Sequence, residues 1–229
     1  MTRTSTVPLR AWLENGNTPK ITGRWEIKSE TGPLKDVLLG PAESFRWMGL
    51  ENAAWSSLVR DTLRKGYKFD KQLAMRQHRE MVDAYNQAGV TTHFLPLDMT
   101  NPYQVYARDS SFMSPYGAVV CQLANPRRRG EYAAVLRFYL ENGIPIYDMV
   151  SAGNFEGGDF NILRDGLALV GYTDHRSEEV AAQQIAQWFI KEGWEIKFAP
   201  IDPFYVHIDL MVCMLNENCA AVCLETTED

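Results

Sequence analysis

The stretch SEEVAAQQIAQWFIKEGWEIKFAPI, residues 177–201, is the most informative for the fold. Its first part carries apolar residues at helical spacing, Val180, Ile185 and Phe189. Gly193 follows where a left-handed residue commonly ends a helix, and a β-rich run, WEIKFAPI, comes next. The stretch therefore predicts a helix, a glycine stop and a strand.

The same pattern occurs twice earlier in the chain. KQLAMRQHREMVDAYNQAG precedes VTTHFLPL, and GEYAAVLRFYLENG precedes IPIYDMV. The three stop glycines, Gly89, Gly143 and Gly193, are separated by 54 residues (143 − 89) and 50 residues (193 − 143). A period near 50 residues is typical of a repeated supersecondary unit.

Hairpins are predicted between the helices. FMSPYGAVVCQL turns around Pro115-Tyr116-Gly117, and FNILRDGLALVGY contains Asp165-Gly166, a strong hairpin signal. The unit is therefore ββαβ, and the fold class is α/β. We expect three complete units and part of a fourth around a pseudo-axis, with residues 1–34 as an irregular lead-in and 35–229 as one domain. The chain is expected to end in the middle of a unit.

Composition excludes several classes of partner. The 229 residues carry a net charge of −6, and RRRGE at 127–131 is the only basic run, so nucleic acid is excluded. No apolar stretch reaches the roughly 20 residues of a membrane span. The N-terminus has no apolar signal-peptide core. The four cysteines lack CxxC spacing, so we expect reduced thiols and a cytoplasmic protein.

Three short polar clusters carry the functional prediction: ARD at 107–109, EGGD at 156–159 and HID at 207–209. Each follows the closing strand of one unit and precedes the next hairpin. Taken singly, they are compatible with an internal ion pair, an ordinary turn and a core histidine beside an acid. Their recurrence at equivalent places predicts that they meet in one acidic pocket.

The chemistry of these clusters favours a cationic ligand. His207 and Asp209 lie at i and i+2, so on a strand both side chains would face one side, where the carboxylate would keep the histidine basic for acid/base work. A compact metal-binding motif such as HxH or HExxH does not occur in the sequence. Carboxylates can bind a guanidinium fork side-on, and attack at its carbon would suit a cysteine.

From about Lys35 onward, these motifs in this order resemble the pentein superfamily of guanidine-modifying enzymes. That superfamily includes arginine deiminase, dimethylarginine dimethylaminohydrolase and arginine:glycine amidinotransferase. The resemblance implies an α/β-propeller of five ββαβ units around a central site. This chain would hold about three and a half of them and would be incomplete at its C-terminus.

The resemblance also implies roles for the cluster residues. Asp109 and Glu156 would bind the substrate guanidinium, with Glu156 counted among the catalytic residues. His207 would be the general acid/base, and Asp209 a second guanidinium ligand, as in the deiminases.

The resemblance also implies substrate-binding roles for two arginines outside the clusters. Arg128 lies 19 residues after Asp109 (128 − 109) in a stretch resembling RRxE, and is a candidate carboxylate or loop contact. Arg176 would grip a substrate carboxylate.

The nucleophile is the main departure from the family pattern. The resemblance implies a cysteine in the last unit, well beyond the HID cluster. Cys213 and Cys223 would lie roughly 20 Å and roughly 13 Å along the strands from His207, and Cys121 belongs to an apolar hairpin strand. We therefore expect the nucleophile beyond residue 229 and no turnover by this chain alone.

The leading hypothesis is a hydrolase or amidinotransferase that acts on the guanidinium C–N bond of arginine or an arginine-like molecule. It would use a covalent cysteine intermediate and no cofactor. A non-catalytic pentein-like binding protein is the alternative. A metal-dependent hydrolase using Asp109, Glu156, His207 and Asp209 is a weaker one. A small guanidino molecule is the expected partner, and a homo-oligomer is left open.

Overall fold

The computed structural model describes residues 18–47, 56–173 and 175–223. Within these ranges the elements are β1 (Asp36–Leu39), α1 (Ser57–Arg64), α2 (Lys71–Gln87), β2 (Thr91–Phe94), α3 (Ala107–Ser110), β3 (Ser111–Ser114), β4 (Gly117–Val120), α4 (Glu131–Glu141), β5 (Ile146–Met149), β6 (Phe160–Arg164), β7 (Leu167–Tyr172), α5 (Glu179–Lys191), β8 (Glu195–Pro200), β9 (Val212–Asn216) and β10 (Cys219–Val222). Two 3₁₀ turns, Gly157–Asp159 and Ile208–Leu210, precede β6 and β9. None of the helices in the described ranges has both the length and the apolar character needed to cross a bilayer.

The ββαβ unit is present twice in complete form. In one unit β3 pairs antiparallel with β4, and β4 pairs parallel with β5 after the crossover through α4. In the next unit β6, β7 and β8 repeat this arrangement, with α5 as the crossover helix. The unit predicted from the sequence is therefore confirmed for residues 111–149 and 160–200.

The flanking units have fewer strands than predicted. The first unit has a two-stranded parallel sheet of β1 and β2, and the last is the antiparallel β9–β10 hairpin. Residues 18–35 contain no strand, so the prediction of three complete units is wrong for the described part of the chain. Proline and glycine interrupt this segment, at Pro19, Gly23, Gly32 and Pro33, which opposes a continuous strand.

The three helix-stop glycines adopt the predicted conformation. Gly89, Gly143 and Gly193 have φ of 78°, 65° and 85°, in the left-handed region. The residue after each glycine donates its N–H to the carbonyl five positions earlier, in the pairs Val90–Tyr85, Ile144–Tyr139 and Trp194–Phe189. The same helix ending is therefore built three times, and it sends each chain segment into its parallel strand.

The complete units are held together by a shared aromatic core. Phe112 of β3 stacks on Phe160 of β6 at a ring distance of 4.2 Å, and Phe160 contacts Phe189 of α5 at 4.8 Å. Trp194 donates its indole N–H to the hydroxyl of Tyr116 over 2.8 Å. Burying each such side chain contributes about 2–3 kcal/mol. This packing fixes the starts of β3 and β6 relative to each other, and those starts carry two of the polar clusters.

The helix of the first unit packs differently. Helix α2 has no fully buried residue, and Leu73 and Met81, which the sequence pattern assigns to its apolar face, are 41% and 39% exposed. Helices α4 and α5 each bury several side chains. The narrower β1–β2 sheet gives α2 less surface to cover.

Candidate active site

The three polar clusters meet, and each includes a short helical turn that precedes a hairpin, with Glu156 and His207 directly before their turns. Arg108 of α3 donates to the carbonyl of Phe160 over 2.7 Å, and the backbone N–H of Ile208 donates to Asp159 over 2.9 Å. The predicted convergence is therefore confirmed. The prediction that His207 and Asp209 lie on a strand is wrong, because the segment forms a 3₁₀ turn. Both side chains nevertheless approach Gly158, where a Cβ would be 2.8 Å from the His207 ring and 2.9 Å from the Asp209 carboxylate.

Asp109 is held by a buried arginine. The Arg128 guanidinium donates to Asp109 Oδ2 over 2.6 Å and makes two further bonds of 2.9 Å to Glu131, the first residue of α4. Arg128 is 4% exposed and Glu131 is fully buried. Burial raises the pKa of Glu131, and the Arg128 charge opposes this. The interpretation of Arg128 as a free substrate contact is therefore not supported, since its guanidinium already binds two carboxylates.

His207 is bound to Glu156 by a short hydrogen bond. Its Nε2 lies 2.7 Å from Glu156 Oε2, and its Nδ1 lies 3.7 Å from Asp109 Oδ1. Arg176 contacts both oxygens of Glu156, at 3.2 Å and 3.0 Å. Glu156 is fully buried. It therefore lies between two cationic groups.

The charges in this arrangement stabilise the imidazolium. Burial alone would lower the pKa of His207, but the bond to Glu156 and the charges of Asp109 and Asp159 raise it to about 9. Burial would raise the pKa of Glu156, and the contacts with His207 and Arg176 lower it instead. His207 and Glu156 thus form an ion pair at neutral pH.

Asp209 occupies a more open position. Its carboxylate is 3.8 Å from Nε of Arg108, and Nη2 of the same guanidinium is 3.6 Å from Glu30. Burial raises the pKa of Asp209, the charges of Asp109 and Glu30 add to this, and His207 and Arg108 oppose it. Its side chain remains 31% exposed, against 13% for Asp109.

A cavity of about 1180 Å³ opens onto the cluster. Of the predicted site residues, its lining includes Asp109, Arg128, Arg176, His207 and Asp209. Glu156 does not line it, because His207 and Arg176 cover its carboxylate. The role of Glu156 as a guanidinium ligand therefore stays a prediction, and in this structure His207 and Arg176 occupy its carboxylate. The lining also includes most of residues 23–36.

Two buried residues of the site, Asp159 and Ser177, received no role from the sequence, although Asp159 belongs to the EGGD cluster. Both are fully buried, and Ser177 donates to Asp159 over 2.5 Å. A signal for Asp159 was present in the sequence, because Asp109, Asp159 and Asp209 are separated by intervals of 50 residues (159 − 109 and 209 − 159). Glu131 is the acid of the RRxE stretch, but the sequence analysis did not identify it as the second partner of Arg128.

All four cysteines lie in the described ranges, and none lines the cavity. Cys121 is buried at the end of β4, and burial raises its thiol pKa well above the ordinary value. Cys213 and Cys219 are exposed on the terminal hairpin, and Cys223 packs beside Ile208 and Met211. This part of the chain therefore supplies no thiol at the cavity.

Metal binding can be judged from the same contacts. Asp109, Glu156 and His207 offer ligand atoms that lie within 4.8 Å of one another. However, Arg128 and Arg176 bind the two carboxylates, and the imidazole Nε2 is hydrogen-bonded to Glu156. A divalent cation would have to displace two guanidinium contacts and a proton. The set therefore fits a metal poorly.

A family model described as "N,N dimethylarginine dimethylhydrolase, eukaryotic" matches residues 47–229. Among curated proteins, the uncharacterized protein YkgA of Bacillus subtilis (strain 168) is 24% identical over 210 residues, which are 92% of this chain and 70% of YkgA.

Similar solved structures include two guanidine-modifying enzymes. Dimethylarginine dimethylaminohydrolase from Pseudomonas aeruginosa, solved as a mutant complexed with citrulline, has a TM-score of 0.65 at 19% identity, covering 82% of this chain and 69% of that one. SxtG, an amidinotransferase from Microseira wollei in the saxitoxin biosynthetic pathway, has a TM-score of 0.70 at 15% identity, covering 89% and 70%. At these identities the likeness shows a common fold and leaves the reaction to be argued from the site.

Proposed function

Because the chain belongs to the eukaryotic N,N dimethylarginine dimethylhydrolase family, within the pentein superfamily, we propose that it acts on the guanidinium group of arginine or an arginine-like molecule. The reaction is hydrolysis of a guanidinium C–N bond or transfer of the amidino group to an amine. The observation that carries this proposal is the convergence of Asp109, His207 and Asp209 on one cavity.

Asp109 and Asp209 are the proposed guanidinium ligands. Both line the cavity with partly exposed side chains, whereas the carboxylate of Glu156 is covered. A planar guanidinium donates up to five N–H bonds, and carboxylates bind it side-on. In a cavity with little water these charge-assisted bonds are stronger than in bulk solvent.

His207 is the proposed general acid/base. Glu156 holds Nε2, so Nδ1 is the nitrogen that can exchange a proton on the Asp109 side. A cysteine thiolate would attack the guanidinium carbon, and the leaving amine would depart with the proton of His207. The resulting thiouronium-type intermediate would then be attacked by water or an amine, whose proton returns to His207 as the thiolate is released.

The thiolate in this scheme comes from a cysteine outside the 229 residues. This part of the proposal rests on the positions of the four cysteines, none of which lines the cavity. The chain by itself is accordingly proposed to bind guanidines without turning them over.

The two arginines receive different roles. Arg176 lines the cavity and is the proposed contact for a substrate carboxylate, which would compete with its present bond to Glu156. Arg128 is proposed to hold Asp109 in place, because its guanidinium is shared between Asp109 and Glu131.

The architecture proposed for residues 35–229 is a single domain of about three and a half units of an α/β-propeller. The two complete ββαβ units, the two-stranded first unit and the terminal hairpin support it. So does the 50-residue recurrence of Asp109, Asp159 and Asp209, whose turns meet around His207.

Calorimetric titration of the 229-residue chain tests the function. Arginine, methylated arginine and agmatine all carry a guanidinium and are expected to bind, whereas norleucine, which lacks one, is not. Equal binding of norleucine, or no binding of any guanidine, would contradict the proposal. Measuring the metal content of the purified protein distinguishes this proposal from a metal-dependent hydrolase, which requires about one ion per chain.

A further inference from the structure

The hydrogen bond between His207 and Glu156 is part of a closed ring of buried contacts. The Ser177 hydroxyl accepts from the Glu156 backbone N–H over 3.0 Å and donates to Asp159 Oδ2 over 2.5 Å. Asp159 Oδ1 accepts from the Ile208 N–H over 2.9 Å. The His207–Glu156 bond of 2.7 Å completes the ring. The proposed reaction uses only that last bond.

We propose that Ser177 and Asp159 are positioning residues that fix His207 against Glu156. This inference rests on the proposed function, because that function assigns His207, which is bound to Glu156, the role of general acid/base. Ser177 anchors the backbone of Glu156, and Asp159 anchors the backbone directly after His207. Both ends of the acid/base contact are thus tied to one carboxylate–hydroxyl pair.

Burial makes this linkage stiff. Every side chain in the ring is at most 6% exposed, so water cannot readily replace a lost partner. A bond broken anywhere in the ring therefore leaves an unsatisfied polar group, and the remaining members must move to compensate.

Two glycines provide the space that the ring requires. A Cβ at Gly171 of β7 would lie 2.8 Å from Asp159 Oδ1 and 2.9 Å from the Ile208 Cβ. A Cβ at Gly158 would lie 2.8 Å from Cγ of His207. These distances are shorter than ordinary carbon contacts, so the ring depends on glycine at both positions.

The test is an NMR titration of the His207 imidazole in the full 229-residue chain, assigned with His207→Gln. Four acidic side chains interact electrostatically with the His207 imidazole: Glu156, Asp109, Asp159 and Asp209. Ser177→Ala removes no charge, yet it is expected to lower the pKa of His207 by about one unit, the equivalent of one hydrogen bond.

Ser114→Ala is the matched control. Ser114 is also fully buried, and its hydroxyl donates to the carbonyl of Gly117 over 2.7 Å and accepts from the N–H of Tyr116 over 3.1 Å. This substitution removes a comparable hydroxyl in the β3–β4 turn and is expected to leave the titration of His207 unchanged. Equal titration of His207 in the two variants would overturn the proposal.

Arginine binding measured on the same samples separates this inference from the proposed function. A His207 shift in Ser177→Ala with no arginine binding by the unmodified chain would support the ring and refute the function. If Ser177→Ala does not fold, amide hydrogen exchange on the unmodified protein tests the hydrogen-bond ring instead. The Ile208 and Glu156 N–H groups are expected to exchange as slowly as those of β7, and exchange at the rate of exposed loops would contradict the ring.

Discussion

At the scale of single residues, the site is a set of buried charges that neutralise one another. Glu156 is bound by His207 and Arg176, and Asp109 is bound by Arg128. Isolated charges would be very costly to bury, but pairing and hydrogen bonding offset much of that cost. Removing one charged side chain therefore leaves its partner buried and unpaired, which lowers the free energy of unfolding.

Glu156→Gln tests the control of His207. The substitution keeps the size of the side chain and removes the negative charge 2.7 Å from Nε2. The pKa of His207, now about 9, is expected to fall toward or below the ordinary value near 6.5, because burial then acts with less opposition. An NMR titration measures this, with Glu178→Gln as a control acid outside the His207 contacts. An unchanged pKa would show that Glu156 does not hold the imidazolium.

The same ionisation predicts how stability depends on pH. The folded-state pKa of His207, about 9, is above its unfolded value near 6.5, so its contribution is complete below about pH 6.5. It is lost as the pH rises through 9, with a magnitude on the order of 3 kcal/mol. Urea unfolding at pH 6.5 and pH 9.5 should show this loss in the unmodified protein and a smaller one in His207→Gln. Identical pH dependence in both proteins would contradict the assignment.

Arg128→Leu tests the buried arginine. It leaves the carboxylates of Asp109 and Glu131 without their cation and is expected to cost about 3–5 kcal/mol of unfolding free energy. Arg127→Leu, at the exposed neighbouring arginine, is expected to change stability by less than about 0.5 kcal/mol. Denaturant unfolding of the two variants provides the comparison, and equal losses would refute the role of Arg128.

At the scale of elements, local signals predicted the three longest helices, their glycine ends, and the β3–β4 and β6–β7 hairpins. Gly143 and Gly193 end their helices with the same hydrogen bond, and Asp165-Gly166 forms the β6–β7 turn, because both structures depend on neighbouring residues. The HID segment was predicted as a strand because alternation cannot distinguish a short strand from a 3₁₀ turn held by Asp159. The covering of Glu156 depends on Arg176 and His207, so it required tertiary structure.

Gly158→Ala tests the close approach between the Gly157–Asp159 turn and the segment that carries His207 and Asp209. The added Cβ would lie within 3 Å of both the His207 ring and the Asp209 carboxylate, so those groups must move. Arginine binding is expected to weaken by at least about tenfold, roughly 1.4 kcal/mol. Gly130→Ala serves as the control for calorimetry, because Gly130 lies outside the cavity lining and its Cβ would meet only Asn101 Oδ1, at an ordinary 3.4 Å. Equal affinity in the two variants would contradict the close approach as a requirement for binding.

At the scale of the whole molecule, the described chain brings the proposed guanidinium ligands and the proposed acid/base residue His207 to one cavity, which none of the described cysteines lines. We predict that the 229-residue chain does not release ammonia, alkylamine or ornithine from a panel of guanidines, because the proposed covalent route needs a thiol at the cavity. The assay includes Cys213→Ser, Cys219→Ser and Cys223→Ser. Clear turnover abolished by one of these substitutions would show that the nucleophile lies within this chain.

In the proposed function, Asp109 and Asp209 bind a guanidinium in the cavity beside His207. A crystal structure of the 229-residue chain with arginine tests it most directly. The account predicts that the guanidinium donates hydrogen bonds to both carboxylates, with its carbon near Nδ1 of His207 and with Glu156 still bound to Nε2. Arginine bound elsewhere, or bound in the cavity with its guanidinium directed away from both aspartates, would contradict the account.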